Sequence, residues 1–197
     1  MGDSYAVLTH ILLHSGMPCR TPGGLAPLVH VDDPAVSVMT DFRKVTPVTV
    51  EPGLSIDTAL RKMKQAGVRL LLVPDRDDNI TGIITATDIQ GEQAFKLARE
   101  QGVARADIRV EMLMTPLDRI VAMDMATVLD ACVGHIISSL LSYEHRHTLV
   151  VEADQPSGIQ VIRGLFSISH ISKLVGHDVS RPEFAAHTLA EVQHELG

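Results

Sequence analysis

The stretch Gly82-Ile83-Ile84-Thr85-Ala86-Thr87-Asp88 is an apolar, β-prone run that ends in a hydroxyl residue, with a carboxylate three positions on where the chain turns helical. The pattern returns as Gly164-Leu165-Phe166-Ser167-Ile168-Ser169-His170. Thr85 and Asp88 therefore fall at a strand-to-helix turn. Such a turn offers backbone N–H groups and the positive end of a helix dipole, while a hydroxyl and a carboxylate together can hold a ribose diol. The chemistry indicated is nucleotide binding without catalysis. The same pair also fits plain helix capping, since an acidic residue in a first turn stabilises a helix by about 0.3–1 kcal/mol with no ligand at all.

Outward from this stretch the chain reads as two copies of one order. In the first copy, Met39-Thr40 leads into a short β-prone run, Lys44 to Val50, closed by a turn at Pro52-Gly53. Ser55 can cap a helix whose apolar stripe is Ile56, Ala59, Leu60 and Met63, with Gly67 at its C-terminal end. Val68 to Val73 is a buried strand, Asp75 to Asn79 a polar turn, and Ile80 to Thr85 the returning strand before a helix from about Thr87. In the second copy Met114-Thr115 echoes Met39-Thr40, and Ile120 to Met123 is the short strand. A helical stripe runs from Leu129 to Leu141, then come strands over His147 to Glu152 and Gly158 to Ser167, and a helix from about Ser169. Between the copies, Gln90 to Ala106 completes the first terminal helix and Asp107 to Met114 forms a connecting helix. Ahead of the repeats lie an apolar stretch, Tyr5 to Leu13, expected to be helical, and a Pro- and Gly-rich connector, Pro18 to Pro34. After them, Ser180-Arg181-Pro182-Glu183 reads as a capping box opening a C-terminal helix.

Two β-α-β-β-α units in tandem, each ending in Gly-apolar-apolar-Thr/Ser, resemble a pair of cystathionine-β-synthase (CBS) domains, the Bateman module, over about Val38 to Gly176. The resemblance rests on the Met-Thr lead-ins, the strand order, the Gly82 to Asp88 stretch and the repetition itself. It implies an α+β (α/β) fold in which two CBS repeats pack about a pseudo-two-fold axis, with helical N- and C-terminal extensions. The expected organisation is 1–36 as an N-terminal extension, 37–106 and 107–177 as repeats, and 178–197 as a C-terminal helix. It further implies a cleft for an adenosine-containing small molecule, with Asp88 on the ribose hydroxyls, Thr85 on the ribose or phosphate side, and Ile84 and Ala86 beside them. Thr46, Pro47 and Val48 would touch the base, Leu70 and Leu71 would complete the slot, and Arg69 would meet phosphates, ahead of Arg43 and Lys44.

The second copy departs from this pattern, because His170 replaces the carboxylate while Ser167 keeps the hydroxyl, and Ile120-Val121-Ala122 lacks the proline. A neutral imidazole has one donor and one acceptor and cannot accept from two ribose hydroxyls. Ile120, Ser167 and His170 are thus expected to form a weaker second site, with His170 able to meet phosphate when protonated.

Composition narrows the function classes. A formal charge of -7 lacks the basic face that nucleic acid requires, and the absence of Trp, with two Tyr and four Phe, leaves little for base stacking. Two cysteines, Cys19 and Cys132, do not make a disulfide framework and point to a reducing, cytoplasmic setting. The opening residues carry no basic region ahead of an apolar core, and no apolar run approaches the roughly 18 residues of a membrane span, so no membrane partner is expected. The ten histidines fall in no HExxH or paired CxxC pattern, so no metal is assigned to His10 and His14 or to His145 and His147. Nucleophile-elbow, P-loop and dinucleotide motifs are absent. The expectation is a regulatory module and not an enzyme: it needs no cofactor, binds AMP, ADP or ATP as regulatory ligand, pairs as a homodimer, and transmits a change to an unknown protein partner. The alternatives are a ligand-free interaction module and an S-adenosylmethionine sensor.

Overall fold

The computed structural model describes residues 10–12, 15, 17, 28–143, 146–154 and 156–180. Its elements alternate as the repeat predicts: β1 (Thr40–Asp41), α1 (Ile56–Ala66), β2 (Leu70–Pro74), β3 (Ile80–Thr85), α2 (Ala86–Gln90), α3 (Glu92–Gln101) and α4 (Val110–Leu113) in the first half. The second half follows with β4 (Thr115–Pro116), β5 (Met123–Asp124), α5 (Met125–Leu129), α6 (Val133–Ser142), β6 (His147–Ala153), β7 (Gln160–Ser167) and α7 (Ile168–Val175).

Local signals explain most of these bounds. Ser55 accepts from the Thr58 N–H at the start of α1, and Gly67, at φ 67°, ends it by donating to Lys64 and Met63 carbonyls. Asp75 accepts from the Asp77 and Asn79 N–H groups and so closes the β2–β3 turn.

Several expected elements are shorter or broken. Lys44 to Val50 is not a strand; Lys44 and Val45 lie in a turn that bonds back to the Asp41 carbonyl, and the rest touches β2 only at the parallel bridge Thr49–Leu72, because Pro47 has no N–H to give to a ladder. Ile120 to Met123 likewise reduces to β5. The stripe beginning at Leu129 divides into α5 and α6 around 130–132, and the connecting helix is the single turn α4. Residues 10–12 of the expected N-terminal helix are not helical; the rest of that helix, Cys19, and the C-terminal helix beyond Ser180 lie outside the described residues.

The strands form two sheets, β2-β3-β4 and β1-β7-β6-β5, and their membership is crossed. β1, from the first lead-in, pairs antiparallel with β7 of the second copy, whereas β4, from the second lead-in, pairs with β3 of the first. The cores obey the same exchange. Ala35, Val38 and Met39 are buried with Val133, Ile137 and Phe166, while Ile108, Val110 and Leu113 are buried with Ile56, Met63 and Ile84. Boundaries at 37 and 107, natural in chain order, thus separate each lead-in from the sheet it joins.

Gly82 and Gly164 make the crossing possible. A Cβ on Gly82 would lie 2.7 Å from the Thr115 carbonyl oxygen, and one on Gly164 would lie 2.5 Å from that of Thr40. Both positions need the missing side chain for close backbone approach. A third apolar cluster, Leu70, Leu72 and Leu149 with Phe42, Ile83, Ile120 and Leu165 around them, joins the two sheets face to face. The clefts open beside this joint.

Candidate functional site

The turn after β3 forms as a capping box. Asp88 Oδ2 accepts from the Thr85 N–H at 2.8 Å and from the Thr85 hydroxyl at 2.7 Å, and Thr85 Oγ1 in turn accepts from the Asp88 N–H at 3.2 Å. One carboxylate oxygen is thereby committed to the cap. Asp88 Oδ1 has no hydrogen-bond partner among the described residues, and it belongs to a half-buried side chain at the wall of a cleft. Since α2 is only five residues long and the Asp88 N–H in its first turn is already taken by Thr85, the free acceptor at this turn is the carboxylate, not a helix dipole.

The cleft around Asp88 has a volume of about 270 Å³. From the first unit it is lined by Ile83, Thr85, Thr87 and Asp88, and from the second by Thr115, Arg119, Ile120, Val121, Arg146 and His147. A second cleft, of about 440 Å³, lies on the other side of the joint. Thr46, Pro47, Val48, Arg69 and Leu70 line it from the first unit, opposite Ser167, Ser169, His170 and Lys173.

The residues expected to share one site are therefore divided. Thr85 and Asp88 face Ile120, whereas Thr46, Pro47, Val48, Arg69 and Leu70 face Ser167 and His170. The physical reason is the packing about the pseudo-two-fold axis. Each unit sets the segment before its long strands against the strand-to-helix turn of the other unit, so each cleft is built across the joint. Three expected contacts are core instead. Leu71, Ile84 and Ala86 are buried among Ile56, Met63 and Ile89, on the helix side of their sheet. Side chains alternate along a strand, so Leu70 and Leu72 face the joint and Leu71 faces the helices. Arg43 is drawn away into an ion pair with Glu152 at 2.6 Å, and Lys44 is exposed.

Sequence reading missed Thr87, Arg119, Val121, Arg146 and His147 at the smaller cleft. Internal symmetry was the available signal. β2 and β3 pair Leu70 with Thr85, and β6 and β7 pair His147 with Ser167, so Arg69 and Arg146 hold the same place in each unit. Their carbonyls confirm it, accepting from the Ala86 and Ile168 N–H groups at 2.9 Å and 3.0 Å.

The electrostatics differ between the two turns. His147 stands between the clefts and lines both; burial, then the charges of Arg69 and Arg146, push its pKa down to about 4, so it is a neutral imidazole at pH 7. His170 is also held below the ordinary histidine value, by burial and then by Lys173. At its own turn Ser167 makes no side-chain cap; its hydroxyl lies 3.0 Å from that of Ser169.

Behind the larger cleft the crossing of β1 over β7 is locked by a buried ion pair that the sequence did not announce. Arg163 holds Asp41 through both terminal guanidinium nitrogens, Nη1 to Oδ1 and Nη2 to Oδ2, the latter at 2.9 Å, and its Nε lies 3.3 Å from Glu152. The Arg163 hydrogen bonds lead the causes that hold the Asp41 carboxyl below its usual range.

The fold is two α+β units with clefts across their joint. Residues 35–94 match the family model described as the CBS domain. Among solved structures, it is similar to an uncharacterized conserved protein from Pyrococcus horikoshii, at 22% identity and a TM-score of 0.52, with 74% of this chain and 93% of that one covered. A CBS domain structure matches at 20% identity and a TM-score of 0.50, covering 72% and 96%. The protein CBSX2, solved in complex with AMP, matches at 19% identity and a TM-score of 0.47, covering 72% and 94%. No curated protein matches the sequence. Among the described residues, no group of three or more His, Cys, Asp or Glu is arranged to hold a metal ion, and no helix is long and apolar enough to cross a membrane.

Proposed function

We propose that the chain is a regulatory module, not an enzyme, that binds an adenine nucleotide, AMP, ADP or ATP, in the cleft around Asp88. The observation that carries this reading is the uncommitted Oδ1 of Asp88, on a side chain that lines a cleft to which the second unit contributes Arg119 and Arg146. A carboxylate oxygen accepts from ribose hydroxyls, Ile83, Ile120 and Val121 offer aliphatic surface to a base, and the two guanidinium groups suit phosphate. The same two cations disfavour S-adenosylmethionine, whose sulfonium would sit in a field of like charge. Because the cleft is built from both units, a ligand there alters their relative packing by its differential affinity for the two arrangements. The output is a change in docking on a protein partner in the cytoplasm, with the module acting as a homodimer.

Calorimetric titration of protein cleared of carried-over nucleotide, with AMP, ADP, ATP, S-adenosylmethionine and NAD, tests this. Saturable binding of a nucleotide that Arg119→Ala weakens supports it. No heat with any of the five, from folded protein, refutes it in favour of an interaction module that works without ligand.

A further inference from the structure

The hairpins of the two units end differently, away from both clefts. In the first unit β3 pairs with β4 at Gly82 and Ile83, only Ile80 and Thr81 run on beyond that pairing, and the turn carries Asp75, Asp77 and Asp78. A short free edge ended by charge resists pairing with another chain. In the second unit β7 pairs with β1 at Gly164 and Leu165, and Gln160 to Arg163 run on past it. The Arg163 carbonyl still takes the Phe42 N–H at 3.0 Å, after which the chain turns away over Arg43 to Val45. Gln160, Val161 and Ile162 are therefore flanked by β6 on one side and by no described strand on the other. This edge bears no charge. Ile159 and Val161, two residues apart and so on one face of the arm, are 66% and 39% exposed.

We infer that this edge is where a second copy of the chain pairs, strand to antiparallel strand, about a two-fold axis through Gln160. This names the face of the homodimer proposed above and rests on that pairing; nucleotide binding is independent of it. A two-fold axis perpendicular to the sheet keeps each face on its own side, so Ile159 of one copy falls opposite Val161 of the other, twice, apolar on apolar. Charge at the ends favours the same arrangement. Antiparallel pairing brings the β6–β7 turn of one copy, with its exposed Asp154, to the point where the other copy's chain leaves β7 at the exposed Arg43 and Lys44. Arg43 already meets Glu152, so Lys44 is the cation that receives the incoming Asp154. The first unit's arm, with three carboxylates in its turn, has no such self-complementary edge.

Sedimentation velocity of the full chain over a concentration series tests the face. The wild type is expected to self-associate, and Ile159→Lys and Val161→Lys each to weaken the dimer about tenfold or more, because a lysine then enters an uncharged strand pairing twice. Lys44→Glu and Asp154→Lys are each expected to weaken it about threefold or more. Combined in one chain they are expected to restore wild-type association, a rescue that a purely structural role at either position does not produce. Ile159, Val161, Lys44 and Asp154 are all exposed, and thermal unfolding checks that each variant keeps its fold. A wild type that stays monomeric overturns the homodimer and this inference together. A dimer left intact by Ile159→Lys and Val161→Lys, or a Lys44→Glu, Asp154→Lys double variant no tighter than the single variants, overturns this inference alone and places the dimer on another face.

Discussion

At the end of β3 a threonine and an aspartate close on each other, and the aspartate keeps one oxygen for the cleft. At the equivalent end of β7 a serine turns to its neighbour two residues on, the helix start is left uncapped, and a histidine and a lysine stand where acceptors would be. Backbone positions are the same in the two units, down to the paired carbonyls of Arg69 and Arg146. The difference teaches that duplication fixes where the clefts lie, while a few side chains at one turn decide their chemistry. The crossings behind the clefts are likewise unequal. Asp41 and Arg163 form a buried ion pair where the first lead-in crosses, but Pro116 and Thr81 occupy the corresponding places at the second.

The largest expected effect comes from breaking that inequality. Arg163→Met leaves Asp41 without its partner and should cost about 3–5 kcal/mol in urea unfolding. Thr81→Val, at the other crossing, loses one hydrogen bond to the Val73 carbonyl and should cost only about 1 kcal/mol. Acid sharpens the same contrast. Asp41 is depressed in the folded state, so its contribution is present above the ordinary aspartate range and is lost as pH falls through the folded value. Stability measured from pH 6 downward should therefore fall more steeply in the wild type than in a double variant, Asp41→Asn with Arg163→Met.

Next in size are the glycines. Gly82→Val and Gly164→Val each force a lead-in strand off its sheet, at about 2–3 kcal/mol, and comparable losses at both would show that both crossings hold the fold. Smaller again is the cap. Asp88→Ala should lower stability by about 1 kcal/mol, whereas Ser167→Ala, which removes no cap, should change it by less than about 0.5 kcal/mol. Equal costs would mean that the two turns are alike after all.

Much of the fold was legible in the sequence because it rests on local rules: a serine cap and a glycine terminus for α1, a short polar turn between β2 and β3, and a hydroxyl at each strand-to-helix turn. The exchange of lead-ins was not. β1 is two residues long and its partner lies at the far end of the chain, so it leaves no periodicity to read. Asp88 and Thr85 were legible from their own chemistry, but their cleft partners Arg119 and Arg146 come from the other unit and follow only from the packing. Leu71, Ile84 and Ala86 were assigned to the cleft when strand alternation and the helical core claim them. Of the two readings of Asp88, the structure shows the cap, made through one carboxylate oxygen, and the proposed ligand role draws on the other.

That division of labour points to the most direct measurement: calorimetry of AMP and 2′-deoxyadenosine monophosphate against the wild type and Asp88→Asn. The amide keeps an oxygen for the cap but loses the second acceptor. The account predicts that the wild type prefers AMP by about tenfold or more and that the variant binds the two within about twofold of each other, at the weaker level. Wild type and variant binding AMP alike, with the same preference, would contradict it.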